Sequence, residues 1–438
     1  MMEVKPFKAF RFDAGVVGDV GGCIAPPYDV ISAAQQERLY EKNKYNIVRI
    51  IKGKTTPSDD DNNNQYTRAA NYLNDWMKEG ALKQDSTETI YAYVQDFELA
   101  GTGFRRFSFI ALAKLEEFGE TVRPHEETLE APKIDRLNLK RATIAKMGLV
   151  FMLYEDQEKV ADKIIRNAAR EKPLIDFRDD QNVRHRLFAV VDEDNIKAIV
   201  KMMLDKKCII ADGHHRYETA LNYFKQTNNP TAQYQMLAFT DSSQKGLVIL
   251  ATHRLVGNLE NFNMNRLVAD LKENFEITEF KFGQGPQAGT DARQKMLAQL
   301  KAEHDKDENA FGIYAGTKAF YVVVLKDKRT MDSVVPNMSS AWRTLDVSVL
   351  HKLILEKLLD IDEARLVKGG NLEYVRDTHD AVDNSISRVD AGQKQVAFFM
   401  NPVKMEQLKA VTDAGERMPQ KSTYFYPKMY TGLTIQKL

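Results

Sequence analysis

The segment Cys208-Ile209-Ile210-Ala211-Asp212-Gly213-His214-His215-Arg216 leads directly into Tyr217-Glu218-Thr219-Ala220-Leu221. It crowds four polar side chains at the point where an apolar strand stops and a helix starts. A helix start leaves backbone N–H groups unpaired at its positive end. Gly213 lets a ligand approach the backbone closely. Arg216 offers a planar fork that fits phosphate oxygens, and His214 and His215 add donors or an acid–base group. The chemistry such a junction suits is anion binding, phosphate above all. The plainer alternative is that Asp212 is a helix N-cap and the histidines are polar surface. Zinc is poorly served, because adjacent histidines do not share a helix face and no ligand spacing links them to His125, His185 or Cys208.

Three further clusters hold residues able to do chemistry. Arg123-Pro124-His125-Glu126 sets a His-Glu pair in a proline-restricted loop, with Asp135, Arg136 and Arg141 downstream. Such a pair can accept a proton or hold a metal ion, and a solvated loop is the bland alternative. The run Met418 to Gly432 contains Lys421-Ser422-Thr423, Tyr424, Phe425, Tyr426 and Lys428. Lys-Ser-Thr without cradling glycines is not a Walker A motif, so this run could cover an anionic ligand or pack a terminal strand. Near the start, Ala25-Pro26-Pro27-Tyr28-Asp29-Val30-Ile31-Ser32 makes a rigid turn with Ser32 as a helix cap. Tyr28 and Asp29 could face a cleft, or the turn could be purely structural.

The elements that must position these residues alternate along the chain. A polar loop, Thr55 to Gln65, precedes a helix carrying Tyr66, Ala69, Ala70, Leu73, Trp76 and Met77 on one face. Ile90 to Val94 and Phe107 to Leu112 read as strands paired through Gly101-Thr102-Gly103. A basic helix is expected near Ile134 to Lys146, then a buried strand, Leu149 to Tyr154. Arg184 to Val190 reads as a strand, Phe262 to Phe275 as a helix, and Val347 to Leu359 as a strong amphipathic helix. The expected class is α+β, or mixed α/β. Three regions are expected: 1–255 with the Asp-Gly-His-His-Arg junction, 256–335 as a small α+β unit, and 336–438 as an α/β region able to cover the site.

The composition bounds the activity. The 438 residues include 62 basic and 62 acidic side chains, for a formal net charge of +0. A balanced chain lacks the basic footprint of sequence-independent nucleic-acid binding. Two distant cysteines, Cys23 and Cys208, do not make a disulfide framework. The start lacks the apolar core of a signal peptide, and no apolar run approaches the roughly 18–20 residues of a membrane span. The cytoplasm is therefore the expected compartment.

The motifs fall in a telling order. Lys5-Pro6-Phe7, Ala25 to Val30, Arg123 to Glu126, Asp135-Arg136, Val183 to Leu187, Ala211 to Arg216, Thr252-His253-Arg254-Leu255, Leu345-Asp346-Val347 and Pro419 to Gly432 together resemble domain-of-unknown-function family 1015. The match spans nearly the whole chain. More distantly, Asp-Gly-His-His-Arg resembles the Gly-x-x-Arg phosphate loop of the ParB/sulfiredoxin-like nucleotide-binding superfamily, which includes chromosome-partitioning CTPases, sulfiredoxins and free-serine kinases. This resemblance implies a ParB/sulfiredoxin-like core in which Gly213, His214, His215 and Arg216 cradle phosphates. The chain departs from sulfiredoxins, having no cysteine in the loop, and from partitioning CTPases, lacking a basic DNA-binding face. What remains is a serine-kinase-like reading: a cytoplasmic phosphotransferase of serine metabolism using ATP or ADP, with Mg2+ as a further cofactor. Asp212, or His125 with Glu126, would accept the hydroxyl proton or hold the magnesium. Lys421 and Lys428 would close over the phosphates. Tyr28, Asp29 and Arg136 would bind the substrate, Arg136 through its carboxylate. The alternatives are a non-catalytic nucleotide- or phosphometabolite-binding regulator and a phosphomonoester hydrolase. The implied partners are a small-molecule substrate and a nucleotide, with neither nucleic acid nor membrane.

Overall fold

The computed structural model describes the whole chain except Leu129, Gly285 and His379. It divides into two compact units, each built from separated stretches of sequence. Unit 1 takes Met1–Pro124, Thr128–Val248 and Pro427–Leu438; unit 2 takes His125–Glu127 and Ile249–Tyr426.

Unit 1 is organised by a nine-stranded mixed sheet. Its strands are β1 (Val4–Lys5), β2 (Ile90–Leu99), β3 (Thr102–Lys114), β4 (Val122–Pro124), β5 (Val150–Tyr154), β6 (Ile175–Arg178), β7 (Arg184–Val190), β8 (Cys208–Asp212) and β9 (Tyr234–Asp241). The order is β4-β8-β5-β9-β3-β2-β7-β6, with β1 paired to β3. Strand β8 lies parallel to β4 and antiparallel to β5, and β9 lies parallel to β5. The hairpin β2–β3 runs much further than its apolar cores alone predict, because Ala100 and Gly101 both adopt positive φ, 48° and 75°. That geometry matches the tight turn favoured by twisted hairpins.

Three helices of unit 1 frame the site: α1 (Gln65–Lys78), α2 (Glu130–Thr143) and α3 (His214–Thr227). Helix α1 starts where the polar loop ends. The Asn64 side chain accepts from the backbone of Tyr66 and Thr67, and the Thr67 hydroxyl closes a capping box. Its Ala69, Leu73 and Trp76 sink into an N-terminal core that also receives Leu139 of α2, Ala145 and Met147. Helix α2 stops earlier than its basic run suggests, since Ile144 turns left-handed (φ 49°). Ala145–Lys146 then pairs as a short strand with Gln436–Lys437. Helix α3 buries Tyr217, Ala220 and Leu221 in a second core with strands β2, β3, β5, β8 and β9. The two cysteines are free and buried.

Unit 2 is a six-stranded antiparallel sheet. It joins Thr252–Val256, Phe275–Lys281, Ala310–Tyr314, Ala319–Leu325, Leu372–Arg376 and Val396–Phe399. Ala310–Tyr314 pairs with Val396–Phe399, so the boundary expected between residues 335 and 336 would cut through a hydrogen-bonded ladder. Strand pairing across such distances is invisible to local pattern. Two local expectations also change. The expected helix 262–275 is shorter, Met264–Leu271, capped by Asn263, and Phe275 opens a strand instead. The expected helix from Val347 begins as Asp346–Val349 but continues as a π-helix, Leu350–Glu356. A wider turn of this kind leaves the 3.6-residue apolar pattern nearly intact, so periodicity does not reveal it.

The whole is α+β with a large mixed sheet. Among the described residues no helix is long and apolar enough to cross a membrane.

Candidate functional site

The junction between β8 and α3 is entered through Gly213, whose φ of 95° is left-handed and whose residue forms the N-cap of α3. Glycine pays no steric cost there. A side chain would also press on Arg216, since a Cβ on Gly213 would sit 3.0 Å from its guanidinium. A second glycine closes on the same arginine: a Cβ on Gly148 would lie 3.3 Å from Arg216 Cδ. The guanidinium is thus packed against two bare backbone positions.

Polar contacts fix its orientation. Arg216 Nη1 donates to the Leu149 carbonyl, and Nη2 donates to Asp212 Oδ2 at 2.5 Å. The other carboxylate oxygen, Oδ1, accepts from Lys428 Nζ. Burial alone would drive the Asp212 carboxyl upward, but Lys428 and Arg216 outweigh it and hold the group well below the usual carboxylate range. Lys428 is itself held from behind. The buried Arg106 donates to Gln95 Oε1 and to the Pro427 carbonyl, and Gln95 Nε2 donates to the Lys428 carbonyl at 2.9 Å. Gln95 and Arg106 face each other across the β2–β3 ladder.

Arg216 opens onto a cavity of about 70 Å3 wholly within unit 1. Its polar lining includes Arg136 and Lys140 of α2, Lys146, Arg216 and Thr219 of α3, Gln235 of β9, and Thr431. Pro27, Tyr28, Ile51, Leu139, Met147 and Gly148 are among the remaining walls. Four lining residues are basic side chains and none is a carboxylate. Arg136 lies over the Tyr28 ring at 3.9 Å, donates to the Ile51 carbonyl at 2.8 Å and pairs with Asp135. Burial pushes the Tyr28 hydroxyl up to about 12. It pulls the Lys140 amine down to about 7 and the Lys146 amine, with help from the Lys140 charge, down to about 6.

The sequence-derived candidates separate into two groups. Tyr28, Arg136, Asp212, Gly213, His214, His215, Arg216 and Lys428 belong to unit 1, and the first two meet Arg216 at the cavity. His214 is buried and His215 half-buried. Asp29 is exposed and is not among the lining residues. His125, Glu126 and Lys421 belong to unit 2. There His125 Nε2 meets Thr423 Oγ1 at 2.7 Å, the His125 carbonyl accepts from Met418 N, and Glu126 Oε1 accepts from Lys421 N at 2.8 Å. The His-Glu loop and the Lys-Ser-Thr run are therefore partners of each other. Arg254, fully buried, donates to the Lys421 carbonyl and completes this knot.

Asp212 does not fit a magnesium ion, because both its oxygens already hold cations. Among the described residues no three His, Cys, Asp or Glu side chains gather as a metal cage. His185, buried between Tyr93 Oη at 2.6 Å and Asp179 Oδ2 at 3.0 Å and stacked on Phe177, is a core histidine whose pKa burial lowers. Lys140, Lys146, Gln235 and Gly148 escaped sequence reasoning. A basic helix reads as solvated, and nothing local marks the lysine that turns inward.

The family model described as "Protein of unknown function (DUF1015)" matches residues 4–348. The chain belongs to this family. For DUF1015 the match takes in the β8–α3 junction and every cavity residue except Thr431. No curated protein matches the chain. Among solved structures, a free serine kinase variant in complex with AMP is 12% identical, with a TM-score of 0.34, covering 71% of this chain and 92% of that one. A conserved hypothetical protein from Pyrococcus furiosus is 10% identical, with a TM-score of 0.34 over 74% and 97%. SbnI with C-terminal truncation from Staphylococcus aureus is 9% identical, with a TM-score of 0.35 over 73% and 84%. A likeness at these values carries no argument about function or a shared core.

Proposed function

We propose that this DUF1015 protein binds the phosphates of a nucleotide, ATP or ADP, at the Gly213–Arg216 junction and transfers phosphate to a hydroxyl-bearing metabolite such as free serine. The observation that carries this reading is one arginine, seated between two glycines at a helix start, opening onto a cavity lined by three more basic side chains and no carboxylate. Phosphoryl transfer asks a protein mainly for positioned phosphates and neutralised charge, which such a lining supplies. Asp212 acts here as a positioning residue: it orients Arg216 and Lys428, and its depressed pKa makes it a poor proton acceptor at neutral pH.

One observation favours a second reading, a non-catalytic binder of a nucleotide or phosphometabolite. Both oxygens of Asp212 are engaged, and the cavity lining holds no carboxylate or histidine to act as base. Phosphorus NMR with ATP, ADP and CTP, with and without serine, separates the readings. Serine-dependent phosphoserine supports the transferase. Turnover of phosphoserine alone supports a hydrolase, and tight nucleotide binding without turnover supports the regulator. Absence of any nucleotide binding overturns the proposal.

A further inference from the structure

The cavity beside Arg216 carries a charge it does not balance. Lys140 is 9% exposed, and among the described residues its amine makes no hydrogen bond or ion pair; its Nζ lies over the Tyr223 ring, 5.8 Å from the centroid. Lys146, 3% exposed, is different: its Nζ donates to the carbonyls of Thr231, Ala232 and Tyr234. Across the same cavity Gln235, also 3% exposed, has an Oε1 with no hydrogen-bond partner. A buried amine and a buried acceptor without hydrogen-bond partners are each costly. One ligand satisfies both when it brings an oxyanion to the first and a donor to the second.

We propose that this cavity is an oxyanion subsite in which Lys140 binds a carboxylate or phosphate group and Gln235 Oε1 accepts a hydrogen bond from a hydroxyl or amine of the same small ligand. This deepens the phosphate-binding reading, which rests on the same cavity and its basic lining, and assigns Lys140 and Gln235 to the ligand. The small volume and the apolar stretch of wall, Ile51, Leu139, Ala145 and Met147, suit a ligand of a few carbon atoms. Binding is coupled to a proton. The groups facing Lys140 or its neighbour Lys146 are Arg136, Arg216, Lys5 and the neutral Tyr28 and Tyr223, with Lys437 anchored close by on the Thr143 carbonyl. Burial pulls the Lys140 amine down to about 7, so it is largely neutral above that pH. A bound anion recharges it.

Isothermal titration of the full chain with inorganic phosphate, lactate and propionate, at pH 8 in buffers of different ionisation enthalpy, tests this. Wild type is expected to bind phosphate or lactate with net proton uptake, and lactate more tightly than propionate. Lys140→Met should weaken that binding at least about tenfold and abolish the uptake, yet melt higher than wild type without ligand, since the cost of burying the amine is gone. A lysine with a merely structural role would melt lower on the same change. Gln235→Leu should erase the preference for lactate over propionate. Either anion bound in this manner supports the subsite, and the arms report whether carboxylate or phosphate is preferred. The proposal is overturned if wild type binds none of the probes at millimolar concentration, or if Lys140→Met binds them as wild type does. Nucleotide binding is scored separately with Arg216→Ala. Nucleotide binding by wild type with no anion binding sinks the subsite alone. Anion binding by wild type without nucleotide binding sinks the nucleotide reading alone.

Discussion

Asp212 and Lys428 stand 216 positions apart in the chain, yet Lys428 Nζ donates to Asp212 Oδ1 while Arg216 holds Oδ2. Removing one cation leaves a largely buried carboxylate with half its compensation. Lys428→Met is expected to cost about 1–3 kcal/mol at pH 7. The pair holds the carboxyl below its unfolded value of about 3.9, so its contribution is full above that pH. It fades as acid protonates Asp212 in the folded state. Urea denaturation from pH 7 down to pH 3 should therefore show a smaller acid loss in the variant than in wild type. An unchanged acid limb would remove the pair from the account.

Arg216→Ala separates binding from folding less cleanly than an exposed arginine would. Its side chain is 11% exposed, and its loss strands the Leu149 carbonyl. We expect destabilisation of about 1–3 kcal/mol together with loss of nucleotide binding. Arg216→Lys keeps the charge but not the fork; it should recover part of the stability and little of the affinity. Full affinity in Arg216→Lys would argue against forked recognition.

The two glycines make distinct tests. Gly213→Ala forces a left-handed φ on a side chain and presses the guanidinium, so it should cost about 1 kcal/mol or more. Gly148→Ala brings its Cβ to 3.3 Å from Arg216 Cδ, and Gly148 is not among the positive-φ glycines. It should leave the melting temperature within a few degrees, about one kcal/mol or less, while nucleotide affinity falls. Equal affinity in Gly148→Ala and wild type would show that Arg216 is free to move aside.

In unit 2, burial pushes the Asp346 carboxyl up to about 7, even though Asn309 Nδ2 donates to it at 2.7 Å. Between its unfolded value near 3.9 and about 7, the folded protein keeps a proton that the unfolded chain has lost. Stability therefore falls as pH rises through that window, and the penalty is complete above it. Asp346→Asn should gain about 1–3 kcal/mol over wild type at pH 8 and little at pH 4. Chemical denaturation at those two pH values measures it, and parallel pH profiles would refute it.

The sequence made the β8–α3 junction legible because its signal is local: apolar run, acid, glycine, arginine. The same holds for α1, where Asn64 and the spacing from Ala69 to Trp76 announce both cap and face. Legibility ended where function depends on distant pairing. Nothing near Lys428 indicates that it meets Asp212, and nothing near His125 indicates Thr423. Lys140 sits in a run of charges that reads as solvated surface, and only the packing of α2 beside α3 turns it inward. The ladder of unit 2 was hidden for the same reason, since Ala310–Tyr314 finds its strand partner more than 80 positions later.

The stretch Pro427–Leu438 returns to unit 1 after all of unit 2 has been traversed. A ribosome releases chain in order, so β8, α3 and the cavity's other walls exist long before Lys428 and Thr431 arrive. Until then Asp212 waits with one counter-ion, and the nascent first unit stays an unfinished shell while the second is made. The contacts of Lys428 and Thr431 with the rest of unit 1 therefore form only after unit 2 has been made.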